Sequence, residues 1–188
     1  MNFARTLLFG LTVLSASIRL AAKEEVLALY EDHRVVINVP EGSTLTRSFS
    51  DLGIITVKIV DAKQVTNLEI SLLPDPEGRF TTPRARREFI VETFQQYVEG
   101  STEKEIHFTE QKTRTGAVTA CVFTDANLVG KTDLPPNEYL NATTGMKTWP
   151  GCAAYFTLLS NGVDSPAYQA AMKIITESVQ DQKPPPAL

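Results

Sequence analysis

Residues 115–160 constrain this chain more than any other stretch. They hold both cysteines, Cys121 and Cys152, each inside an apolar run. In 117–124, Ala117, Thr119, Cys121 and Phe123 alternate with Val118, Ala120 and Val122. In 152–159, Cys152, Ala154, Phe156 and Leu158 alternate with Ala153, Tyr155, Thr157 and Leu159. Successive strand side chains point to opposite faces, so neither run has a polar face. Strands of that kind lie inside a sheet covered on both sides. Antiparallel pairing with Cys121 opposite Cys152 also sets Thr119 against Ala154 and Ala117 against Phe156. That register keeps both faces coherent and predicts a Cys121–Cys152 disulfide, provided the protein is exported. The alternative is two buried thiols, because free cysteine is among the most buried residue types.

Export is expected from the first residues. Residues 1–22 read as a secretory signal peptide, with Arg5 at the charged start and an apolar core over 7–14. That core is too short to span a membrane. Small residues at Ser15-Ala16-Ser17 or Leu20-Ala21-Ala22 offer cleavage sites. The expected location is secreted or periplasmic. Residues 23–180 read as a single domain, and 181–188, with Pro184-Pro185-Pro186, as a disordered tail. A chain of 188 residues suffices for one domain with a real core. Its net charge of −4 argues against a nucleic-acid partner.

Alternation predicts strands over 25–30, 34–39, 53–60, 65–73 and 105–111, besides the two that carry cysteine. Residues 41–52 read as a polar connection. Ile55, Val57 and Ile59, and Leu68, Ile70 and Leu72, are expected to face the core. Thr82-Pro83 and Ser165-Pro166 each supply an N-cap followed by proline at the first helical position. Ala85, Phe89, Ile90, Phe94, Tyr97 and Val98 form an apolar stripe ending at Gly100. Tyr168, Ala171, Met172, Ile175 and Val179 form a second. The expectation is therefore an α+β fold, an antiparallel sheet flanked by two amphipathic helices.

Motifs for chemistry are few. Gly130-Lys131-Thr132 lacks the upstream glycine of a phosphate loop, where Asp125 stands, and Asp133-Leu134-Pro135-Pro136 opposes a following helix. His33 and His107 are too few for a metal set without carboxylates, and both read as surface residues. Arg84, Arg86 and Arg87 crowd a helix start, where the macrodipole disfavours cations; they read as a solvated face paired with Glu88 and other acids. Asp75 and Glu77 read as a solvated turn. Asn141-Ala142-Thr143 matches a glycosylation sequon. No catalytic residue, metal or cofactor is assigned.

The order of elements behind a leader resembles the PsbP family of extrinsic luminal and secreted proteins. The residues that carry the resemblance are Tyr30-Glu31-Asp32 leading to Val39-Pro40-Glu41-Gly42, Gly116 before a long strand, and the ending Ile174-Ile175-Thr176-Glu177-Ser178-Val179. The tryptophan that members often carry soon after the proline is missing here. The resemblance implies a PsbP-like sandwich and a non-catalytic accessory role, and carries over no binding residue.

Function is expected to be that of an exported interaction protein. The alternatives are a small-ligand binder with a cleft between sheet and helix, or a hydrolase built from scattered residues. Residues 126–150 form a connection far longer than most, the kind that is usually functional or disordered. It holds Tyr139, Met146 and Trp149, the only tryptophan. These side chains either fold back over the sheet as a lid or stay exposed to anchor a protein partner.

Overall fold

The computed structural model describes residues 22–30 and 33–181. Strands β1 (Ala22–Tyr30) and β2 (His33–Pro40) pair antiparallel. Strands β3 (Thr44–Phe49), β4 (Ile55–Val60) and β5 (Thr66–Asp75) follow as a meander. Helix α1 (Pro83–Phe94) and the short α2 (Gln96–Gly100) lead to β6 (Thr109–Thr113) and β7 (Gly116–Thr124). Strands β8 (Asn141–Trp149) and β9 (Gly151–Ser160) form a hairpin, and α3 (Pro166–Thr176) and β10 (Val179–Asp181) close the fold. Seven strands make one antiparallel sheet in the order β3-β4-β5-β9-β8-β7-β6, and β10 joins β2 in a second sheet, β1-β2-β10. The expected α+β class with antiparallel sheets holds. The expected leader over 1–22 lies outside the described residues except for Ala22, which opens β1, and the expected tail lies outside them beyond Asp181.

The large sheet is covered differently on its two faces. One face packs Ile55, Val57, Ile59, Leu68, Ile70, Leu72, Phe156 and Leu158 against the small sheet and α3, with Leu27, Val35, Ile37, Ala171 and Ile175 opposite. The other face carries a smaller core in which Cys121, Phe123 and Met146 meet Ile90 and Phe94 of α1. Beyond that core on the same face, the exposed Lys58 stands opposite the exposed Glu69 across β4 and β5, and the Thr56 and buried Ser71 hydroxyls bond at 2.9 Å. Opposite charges and hydroxyl pairs set directly across from each other are cross-strand pairs that stabilise a sheet.

Both helix starts follow the sequence signals. The Thr82 hydroxyl accepts from the Ala85 N–H at 3.2 Å, and the Ser165 hydroxyl from the Tyr168 N–H at 3.1 Å. The first helix is interrupted: α1 stops at Phe94 and α2 resumes at Gln96. Val179 belongs to β10, not to the stripe of α3. Two strands lie where loops were expected, β3 within 41–52 and β8 within 126–150.

The second of these overturns the disulfide. Cys121 and Cys152 are buried free thiols. β8 separates β7 from β9, so the cysteine strands are two spacings apart, about 9–10 Å. Cys121 faces Thr144 on β8 while Cys152 faces Trp149, which offsets them by a further 17 Å or so at the rise of a strand. A disulfide needs Cα atoms within roughly 7 Å. The thiols also sit on opposite faces, Cys121 in the core under α1 and Cys152 in the core under α3. Thr119 accordingly faces Met146 rather than Ala154, and Ala117 faces Thr148 rather than Phe156.

Two glycines make the β8–β9 pairing possible. A Cβ on Gly145 would lie 2.5 Å from the Thr119 carbonyl oxygen and 2.7 Å from the Phe156 ring. Gly151 follows Pro150 in the turn and has φ +76°, the pairing that a type II turn favours. Trp149, just before that turn, is 6% exposed. Its emission is expected to be short-wavelength and poorly quenched by acrylamide. Trp149→Ala is expected to lower unfolding free energy by about 3–5 kcal/mol. Long-wavelength emission and an unchanged denaturation midpoint would contradict this packing.

Candidate functional site

The three side chains expected on one partner loop do not share a surface. Met146 and Trp149 belong to β8 and are buried in opposite cores, Met146 with α1 and Trp149 with α3. This corrects the expectation of Met146 and Trp149 as loop anchors. Tyr139 alone stays on the true connection, half-buried beside a groove.

That groove, of about 600 Å³, lies where α2 meets the connection between β7 and β8. Phe123, Leu128, Leu140 and the rings of Tyr97 and Tyr139 supply its apolar lining. Gln96, Asp125, Asn127, Lys131, Asn137 and Glu138 supply polar groups. Backbone bonds hold the walls together: Thr102 N–H to the Thr124 carbonyl at 2.9 Å, Ala126 N–H to that of Gly100 at 3.0 Å, and Asp125 N–H to that of Leu140 at 2.9 Å. Tyr97 stacks on Phe123 with centroids 5.8 Å apart and on Phe94 at 6.2 Å, yet remains 38% exposed. Burial, and secondarily the Asp61 carboxylate, push the Tyr139 hydroxyl above its ordinary pKa. Leu128 is buried, so the connection does fold back against the end of the sheet.

The other residues with chemical promise are engaged in holding the fold. Arg86 is 2% exposed rather than solvated. It donates to the Thr119 hydroxyl at 2.6 Å, to the carbonyls of Phe80 and Thr81, and to Glu110 at 3.2 Å. Arg87 also bonds Glu110 and lies over the Phe108 ring, and Arg84 pairs with Glu88. Asp75 is 1% exposed, and its carboxylate accepts from the N–H groups of Arg79 and Phe80, which makes it a loop clasp instead of a solvated turn. His33 packs against the β8–β9 turn, where a Cβ on Gly151 would fall 2.2 Å from Nε2. His107 is exposed and 3.2 Å from Glu105. Asn141 of the sequon is buried, donating to the Thr124 hydroxyl at 3.0 Å, and has no room for a glycan. Among the described residues, no three His, Cys, Asp or Glu side chains come together as a metal set. No helix among them is long and apolar enough to cross a membrane.

Lys147 escaped the sequence reading altogether. It lies in the middle of β8 and is fully buried. Its Nζ donates to the carbonyls of Ile175, Thr176 and Ser178 at 2.9, 3.0 and 2.7 Å, with the Ser178 and Thr115 hydroxyls near at 3.2 and 3.1 Å. The Trp149 ring is 5.1 Å away. The ammonium thus caps the C-terminus of α3, where the helix dipole is negative. Burial still pulls its pKa down to about 8.

No family model matches the chain, and no curated protein matches it.

Two stability measurements test these networks. Lys147→Met leaves the α3 carbonyls without their donor and is expected to cost about 2–5 kcal/mol. The Lys147 pKa is lower folded than the ordinary 10.5, so the unfolded chain binds that proton more tightly. Wild type should therefore gain stability over Lys147→Met as pH rises from about 8 to 10.5, with a flat difference below 8. Denaturant midpoints across that range check it. For Glu110, burial acts to raise the pKa, but hydrogen bonds from Thr119, Arg86 and Arg87 hold it below the ordinary 4.5. Its stabilisation is full above 4.5 and is lost as pH falls through the lowered value, so Glu110→Gln should flatten acid denaturation in that window.

Proposed function

We propose that this chain is an exported, non-catalytic accessory protein that binds a protein partner through the groove of Tyr97 and Tyr139. The observation that carries the reading is that groove: a solvent-open recess of about 600 Å³ with two partly exposed tyrosines on a stiff base. Aromatic side chains that keep one edge wet are typical of binding surfaces. Binding residues are commonly placed on loops that a rigid scaffold holds. Export is supported by the charged, apolar and small-residue pattern of 1–22. The PsbP-like sandwich belongs to the same reading, supported by the leading hairpin, the β3–β5 meander and the helices on both faces of the large sheet.

A second reading, a small-ligand binder, draws on one observation: the groove's volume falls in the usual range for ligand pockets, about 300–1,000 Å³. In-cell photocrosslinking separates the two. A photoreactive residue at Asn127 or Lys131, both exposed on the rim, is expected to trap one discrete protein. The same probe at Thr46 on the far edge strand is expected to trap none. Equal labelling from Thr46, or no protein adduct at the rim, would defeat the partner reading.

A further inference from the structure

We propose that the groove receives a cationic side chain, an ammonium or guanidinium on a basic segment of a partner protein, held by Tyr97, Tyr139, Asp125 and Glu138. This rests on the reading of the groove as a partner site. Three observations support it. Tyrosine rings attract cations through their quadrupole, and the partly exposed Tyr97 and Tyr139 both line the recess, with the buried Phe123 stacked on Tyr97. Two carboxylates, Asp125 and Glu138, line it against one lysine, Lys131. The Asp125 carboxylate is fixed in place by the Asn127 N–H at 2.8 Å.

Other occupants fit less well. An anionic segment would meet Asp125 and Glu138 as like charges. A purely apolar segment would strip water from both carboxylates without pairing them. A cation satisfies rings and carboxylates together, and the chain's net charge of −4 favours its approach.

The test is a backbone-amide NMR titration of the full chain with N-acetyl-arginine amide and, in parallel, N-acetyl-citrulline amide, which keeps the shape and loses the charge. The arginine probe is expected to shift amides at Tyr97, Asp125, Glu138 and Tyr139 and to bind about tenfold more tightly than citrulline. High salt and Glu138→Gln, a change at an exposed residue, should each narrow that gap. Tyr139→Leu should weaken the arginine probe in a protein that melts as wild type does; if that variant melts early, the salt and Glu138→Gln arms decide. Equal binding of both probes in the groove would overturn the cationic partner and leave the groove as a contact site. Shifts from neither probe within the groove would overturn the cationic partner, and rim crosslinks lacking as well would take the groove reading with it.

Discussion

Two positive charges are buried on opposite faces of the large sheet, and the rest of the fold is arranged around keeping them satisfied. Arg86 and Lys147 are the largest of the fully buried side chains. Removing an ion from water costs several kcal/mol, so each needs a complete set of acceptors. Arg86 finds a carboxylate, a hydroxyl and two carbonyls, and in doing so locks α1 to β6, β7 and the approach to the helix. Lys147 is held by carbonyl and hydroxyl oxygens instead. It is met by the carbonyl end of α3 and the turn that follows. That turn leads directly into β10, the strand that pairs with Val35 and Val36 of β2. One ammonium on the interior strand β8 therefore fixes the helix and, through it, the edge of the small sheet.

The parts of the fold legible in sequence are those whose local pattern and tertiary role agree. The β4–β5 hairpin alternates faithfully, and its six inward residues are all nearly fully buried. The helix starts at Thr82 and Ser165 carry cap and proline together, and both caps form. β3 was not legible, because an edge strand with one side solvated has few apolar residues to display. β8 was not legible for the opposite reason. Its sequence, Asn-Ala-Thr-Thr-Gly-Met-Lys-Thr-Trp, looks like a polar connection, yet every residue but Ala142 is buried. Its lysine and threonines find partners in other elements, which no local pattern encodes. The available signals were the β-branched threonines and the Pro150-Gly151 pair, which joins two strands as a turn rather than ending a loop.

The missed strand propagates into the cysteine argument. With β8 taken as loop, the two apolar cysteine strands become neighbours and a bridge follows. With β8 in place, one cysteine moves a strand away and to the other face. The thiols that remain are ordinary core residues. Burial raises the pKa of Cys121 against the opposing Thr144 hydrogen bond, and burial with Asp75 nearby pushes Cys152 up to about 11. Since the thiolate is the reactive form, neither is poised for chemistry near neutral pH. The cysteines therefore say nothing about compartment, and the case for export stands on the leader pattern alone.

The same arrangement explains why the proposed binding surface falls at the end of the sheet. The α1 and α3 faces spend their polar groups on Arg86 and Lys147, and their apolar groups on two cores. What is left unspent lies where the backbone changes direction, at the break between α1 and α2 and in the connection from β7 to β8. Tyr97 comes just after that break, close enough to stack on Phe94 and Phe123 yet beyond the cover of either core. Tyr139 lies just before β8 enters the sheet. Tyr97 rests on the buried Phe94 and Phe123, and backbone bonds from Thr102, Asp125 and Ala126 tie the groove walls together, so a ligand meeting them would have little of the base left to order. Tyr139 was legible as a residue of the connection, where the structure also has it, beside the proposed groove. Tyr97 was not, because its helical spacing assigned it to the core stripe, and only the interruption at Gln95 leaves it at the surface.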